Sequence, residues 1–190
     1  EMARLRDLGL SIGTGRTGPL NAITDVAGVS VGHSTVVRDE PRVARTGVTI
    51  VNTRPPGERR DLCYGGMHSF NGNGEMTGSH WLAESGLLSG PIGITNTHQV
   101  CRVRDTLVAE ELRHDPDASW LLPVVGETYD GFLNDIDAFH LTTDDVVAAI
   151  VDADRVGPVA EGNVGGGTGM VCHEFKGGIG TSSRVVEVAA

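Results

Sequence analysis

The chain has 190 residues, enough for one domain with a continuous core. It carries 25 acidic against 15 basic side chains, a formal net charge of −10. With no cluster of cations, that balance excludes nucleic acid as the main partner, because phosphate binding needs a basic face. No stretch approaches the roughly 18 apolar residues of a membrane span. Glycine supplies 27 residues, about twice the usual share of about 7%, which implies many tight turns and close backbone approaches. Cys63, Cys101 and Cys172 are an odd number without a Cys-x-x-Cys pair, so a reduced, cytoplasmic setting is expected. Met2 to Asp7 lacks the apolar core of a secretory leader.

The stretch 29–37 is rich in β-branched residues with partial alternation and reads as a strand; 46–51 reads as a second, with a turn at Arg38-Asp39-Glu40-Pro41 between them. Arg54 to Arg60, interrupted by prolines and Gly57, reads as a solvated loop. Ser79 to Leu88 is expected to form a short helix. Pro91 to Asn96 predicts a buried strand running into a helix that carries Val100, Val103, Leu107, Val108 and Leu112. Thr97 is its expected N-cap, and His114-Asp115-Pro116 its stop. Residues 120–125 predict another buried strand, limited by Pro123. A helix is expected after Thr142, with acids in its first turn and Val146, Val147, Ile150 and Val151 along one side. Beyond Gly162 glycines crowd two segments, with strand-like 170–172 between them. The strand pattern of 184–190 then stops as though in mid-sheet. The elements predict an α/β or α+β layered domain with a mixed sheet.

Chemical motifs are sparse. Gly13-Thr14-Gly15-Arg16-Thr17-Gly18 matches G-x-G-x-x-G, but Pro19 follows and no helix opens on it, so it reads as a turn. Gly162 to Gly169 superficially resembles a phosphate loop but lacks its lysine. Close backbone approach is the favoured reading there, with a contribution to a site left open. The histidines are scattered and no metal site is expected. In an extended Cys172-His173-Glu174, alternate side chains would point to opposite faces. No Gly-x-Ser-x-Gly elbow is present. The most informative segment is Val124 to Gly131, which sets Glu127 and Tyr129 two residues apart at the end of an apolar strand. If extended, both lie on one face, where a carboxylate could hold an ammonium and a phenol could donate to an oxyanion. A solvated turn with an ion pair is the alternative.

Six segments occur in order: 20–26 (Leu20-Asn21-Ala22-Ile23-Thr24-Asp25-Val26), 71–78 (Asn71-Gly72-Asn73-Gly74-Glu75-Met76-Thr77-Gly78), Thr95-Asn96-Thr97-His98, 123–131, 165–170, and 173–181. Together, over nearly the whole chain, they resemble the L-aminopeptidase D-amidase/D-esterase family, which includes the β-peptidyl aminopeptidases. The resemblance implies an αββα four-layer sandwich similar to N-terminal-nucleophile hydrolases, with different connectivity. It implies a precursor that cleaves itself before a serine, which becomes the nucleophile of a second chain. Residues 1–190 would then be a single domain, most of an α subunit. The nucleophile-bearing β subunit would lie outside this chain, and such α/β units would associate further into a larger oligomer.

The implied activity is removal of N-terminal residues from small peptides, amides and esters without metal or other cofactor. Glu127 would recognise the substrate's amino group, Tyr129 would help stabilise the tetrahedral intermediate, and Trp120 would lie near the substrate pocket or else pack in the core. Two alternatives stand beside this: an acyl transferase resembling the ornithine acetyltransferases, and a non-catalytic small-molecule binding protein of the same fold.

Overall fold

The two long β-branched segments form the longest strands, β1 (Ser30–Arg38) and β2 (Ala44–Asn52). They pair antiparallel from Ser30 opposite Asn52 to Arg38 opposite Ala44. The computed structural model describes residues 3–55, 57–58 and 61–187. Two short strands, β3 (Cys63–Tyr64) and β4 (Leu87–Leu88), make a separate antiparallel pair flanking the helix α1 (Ser79–Ser85). β5 (Ile92–Asn96) adds antiparallel to β2, and β6 (Val124–Thr128) adds parallel to β5. The main sheet is therefore mixed, in the order β1-β2-β5-β6. A parallel neighbour demands a crossover, and α2 (Val100–His114) supplies it.

One face of this sheet holds the core. Val48 and Ile50 of β2 and Val125 of β6 are fully buried against Val100, Val103 and Leu107 of α2. Val146, Ala149 and Ile150 of α3 (Thr143–Asp152) complete the cluster. α3 begins as its sequence dictates: Thr142 and Asp145 form a reciprocal capping box. Its C-terminal end is satisfied from the sheet, where Ser30 Oγ and Asn52 Nδ2 both donate to the Ala153 carbonyl. Buried Gln99 donates to and accepts from the Leu141 backbone, at 2.9 Å each way, which fixes the entry to α3.

The other face carries the glycine-rich segment. Gly165–Gly167 makes one buried turn of 3-10 helix over β1, β2 and β5. A β-carbon on Gly47 would come within 2.5 Å of the Gly165 carbonyl oxygen, and one on Gly167 within 2.3 Å of the Ile179 nitrogen. Bare backbone is required on both sides, which is the close approach read from the sequence.

Several local expectations are corrected. The strand expected over 120–125 starts at Val124, because Trp120 is in the left-handed region (φ 59°) and Pro123 has no N–H for a ladder. The helix expected to reach Leu88 ends at left-handed Gly86, and Leu87–Leu88 becomes β4. Thr97 does not cap the long helix: the run opens as a 3-10 turn, Thr97–Gln99, which Asn96 caps by accepting from the Gln99 N–H at 3.1 Å, and Gln99 stands at the N-cap of α2 without a side-chain cap bond. Leu112 and Val151 face solvent. Cys172-His173-Glu174 is no strand: His173 and Glu174 both have positive φ, making the tight turn between β7 (Val171–Cys172) and β8 (Phe175–Lys176). Residues 184–187 form no strand; the Val185 N–H instead donates to the Arg16 carbonyl at 2.8 Å. Residues 188–190, and Pro56, Arg59 and Arg60 of the expected solvated loop, lie outside the described residues.

Candidate active site

β5 and β6 run parallel, and the loops at the carboxyl ends of parallel strands are where α/β folds gather functional groups. Glu127 is the penultimate residue of β6, opposite Thr95 of β5, and is half-buried. Where β5 turns into the helical run, the hydroxyl of Thr97 donates to Glu127 Oε2. Asn96 caps the 3-10 turn there, and the Thr97 side chain turns to Glu127. Among the described residues no lysine or arginine pairs with the Glu127 carboxylate, so the ion pair entertained from the sequence is not formed there.

The outer edge of β6 is covered by the segment around Met76, which bridges antiparallel to Gly126. The Glu127 N–H donates to the Glu75 carbonyl at 3.1 Å, and the Thr77 N–H to the Val125 carbonyl at 3.0 Å. Thr77 Oγ1 accepts from the Val125 N–H at 2.9 Å and donates to the Pro123 carbonyl at 2.8 Å. This register brings Gly74 against the carboxylate: a β-carbon there would lie 3.0 Å from Glu127 Oε1.

Tyr129 lies one residue beyond β6. Its ring is half exposed, folds over Gly131 and packs edge-to-face on Phe132 with centroids 5.6 Å apart. β6 ends at Thr128, so Tyr129 lies just past the ladder. Glu127 and Tyr129 sit at the same strand end, but separate contacts orient them. The intervening turn is anchored by Asp130, which is 2% exposed and accepts from Asn134 Nδ2 at 3.0 Å. Asn134 Oδ1 in turn accepts from the Arg45 N–H, tying the turn to β2. Burial pushes the Asp130 carboxyl above its ordinary value, with hydrogen bonds from Thr46 and Asn134 opposing the shift.

Trp120 precedes β6, four residues before the strand begins and seven before Glu127. It stacks edge-to-face on Trp81 at 4.6 Å. The two rings border a cavity of about 270 Å³ whose wall includes Leu107, Leu122 and Glu111.

The histidines take separate positions. His140 lies between the Arg38 guanidinium and the Val43 carbonyl, and His98 pairs with Asp137 at 3.3 Å. His33 Nδ1 lies 2.9 Å from Thr49 Oγ1, and burial lowers the basicity of its ring. Among the described residues, no group of three His, Cys, Asp or Glu side chains is placed to hold a metal ion. No described helix is long and apolar enough to cross a membrane.

The residues missed as site members from the sequence are Thr97 and Gly74. Both sit inside segments that carry the family resemblance, which was the available signal. Their proximity to Glu127 depends on pairings across 30 and 53 positions.

Comparison with solved structures defines the class. The chain matches a β-aminopeptidase from a Burkholderia species with a TM-score of 0.92 and 53% identity, over 97% of this chain and 53% of that one. It matches the L-aminopeptidase D-Ala-esterase/amidase of Ochrobactrum anthropi, described as a prototype for the serine aminopeptidases and a new variant among the Ntn hydrolase fold. There the TM-score is 0.91 and the identity 49%, again over 97% of this chain and 53% of that one. The fold is thus a mixed α+β layered arrangement of that N-terminal-nucleophile hydrolase variant.

Residues 21–190 match the profile of peptidase family S58, and the chain belongs to that family. It is 50% identical to the β-peptidyl aminopeptidase BapA of Sphingosinicella microcystinivorans, over 99% of this chain and 48% of that protein. To the BapA of Sphingosinicella xenopeptidilytica it is 49% identical, over 96% and 47% respectively. The chain spans about half the length of the relatives it matches.

Proposed function

We propose that this chain is the amino-group-recognising part of a serine-type aminopeptidase that acts on small peptides, amides and esters. Glu127 receives the substrate's ammonium, and Tyr129 donates a hydrogen bond to the oxyanion of the tetrahedral intermediate. The nucleophile is a serine that self-cleavage exposes at the start of a second, β chain from the same precursor, with no cofactor. Such α/β units associate further into an oligomer, in the cytoplasm.

The observation that carries this reading is the Glu127 carboxylate: half-buried, oriented by Thr97 and lacking a cationic partner among the described residues. A carboxylate held in that way gains most from a cation that arrives with the substrate. It also discriminates a free amino terminus from an internal peptide bond, which offers no charge. Tyr129 stands at the same strand end with its ring half exposed, as a donor to a substrate oxygen must be. Trp120 enters only through the cavity it shares with Trp81, which would receive an apolar part of the substrate.

Denaturing intact-mass spectrometry of the protein purified from its complete reading frame tests the reading. Two chains are expected, the second beginning with serine, and Ser→Ala at that junction should leave one uncleaved, inactive chain. A single unprocessed chain without hydrolase activity would overturn it.

A further inference from the structure

The two oxygens of Glu127 are not equivalent. Oε2 is committed to the Thr97 hydroxyl, whereas Oε1 faces the bare α-carbon of Gly74. A β-carbon at position 74 would lie 3.0 Å from Oε1 and 3.8 Å from Cδ and Cγ of the same side chain, and every one of its three nearest atoms belongs to Glu127. Backbone conformation does not explain this glycine, because its φ lies outside the left-handed region and the residue is exposed. Packing against a third group does not explain it either. What the glycine avoids is a methyl pressed against one carboxylate oxygen, which would crowd the approach to Oε1 and push the carboxylate from the rotation that Thr97 sets.

We infer that Gly74 and Thr97 determine the amino-group specificity of the site. Thr97 fixes the rotation of the Glu127 carboxylate, and Gly74, by lacking a methyl against Oε1, leaves that oxygen uncrowded for the substrate's ammonium. This rests on the reading of Glu127 as the ammonium acceptor and deepens it. Thr97 is a positioning residue that acts through Glu127, and Gly74 acts by the side chain it lacks. The pairing of residues 75–77 with β6 holds Gly74 in place, which gives the glycine-rich 71–78 segment a role in recognition.

The test uses the intact, processed enzyme and two substrates: an amino-acid p-nitroanilide that it turns over, and the des-amino analogue of the same acyl group. The readout is the ratio of their kcat/KM values, which a general loss of folding does not move. Gly74→Ala and Thr97→Val should each lower the ratio about tenfold, through a higher KM for the amino substrate, a size typical of losing one hydrogen bond to a charge. Thr97→Ser, which keeps the hydroxyl, should stay within about threefold of wild type. Glu127→Gln separates the two ideas. If it collapses the ratio while Gly74→Ala and Thr97→Val leave it unchanged, the inference is overturned and Glu127 stands as the acceptor. If Glu127→Gln itself leaves the ratio unchanged, the reading of Glu127 fails and the inference falls with it.

Discussion

Gly32 of β1 lies directly beneath the end of α3, and Gly32→Ala measures how rigidly that helix is seated. A β-carbon there would be 2.1 Å from the Ala153 nitrogen, 2.3 Å from the Ala149 oxygen and 2.6 Å from the Ala153 α-carbon. Comfortable non-bonded separations are about 3.5–4.0 Å, so the last turn of the helix must retreat by over an ångström. All three opposing atoms are backbone, and no side-chain rotation relieves the clash. Retreat loosens Ala149, Ile150 and Ala153 in the core and stretches the bonds from Ser30 and Asn52 to the Ala153 carbonyl. Overpacking of this kind costs about 1–3 kcal/mol, and weakening one buried hydrogen bond adds about 1 kcal/mol. The reduced unfolded-state entropy of alanine returns about 0.4–1 kcal/mol. The expected net loss is about 2 kcal/mol, a fall in melting temperature of about 4–8 °C for a chain of this size. Gly66→Ala is the control, since a β-carbon there meets nothing within 4 Å; it should stay within about 0.5 kcal/mol of wild type. Thermal and urea unfolding of both variants decide the matter. A Gly32→Ala loss no larger than that of Gly66→Ala would refute the rigid seating of α3.

Two predictions concern pH. Burial raises the Asp130 carboxyl above its ordinary value of 3.8, so the folded state keeps this proton after the unfolded chain has released it. Its contribution to stability is full below pH 3.8 and is lost as pH rises through the raised value. Asp130→Asn should remove that decline from a plot of urea midpoint against pH, and identical slopes in variant and wild type would contradict the assignment. His33 works in the opposite direction. Burial lowers its ring below the ordinary 6.5, so its contribution is present above pH 6.5 and is lost as pH falls through the lowered value. His33→Asn should flatten the acid side of the stability profile between pH 6.5 and that lower value; an unchanged acid limb would show that the ring titrates freely in the folded protein.

Legibility in the sequence followed the range of the interactions. β1, β2, β5 and the two long helices were readable because each is set by local periodicity, and the Thr142 capping box marked where α3 begins. β3 and β4 were not, since strands of two residues carry no period and exist only by pairing Cys63 with Leu88 and Tyr64 with Leu87. The shift of β6 by several residues came from Pro123, whose limit on pairing the sequence did show, and from a left-handed torsion at Trp120, which no pattern of side chains announces. At the site, side-chain chemistry and the resemblance both pointed to Glu127 and Tyr129, and β6 ends at Thr128, between them.

By itself, then, the sequence determined where most of the apolar faces lie, that β1, β2, β5, α2 and α3 are present, and that glycine crowds the segment after Gly162. All of these follow from neighbours a few residues apart. Only the tertiary structure decided what stands over the Glu127 carboxylate. Thr97 and Gly74 reach it through the parallel alignment of β5 with β6 and the antiparallel bridge at Met76. Strand register is set by the burial of an entire face, a property of the assembled sheet and not of any single segment.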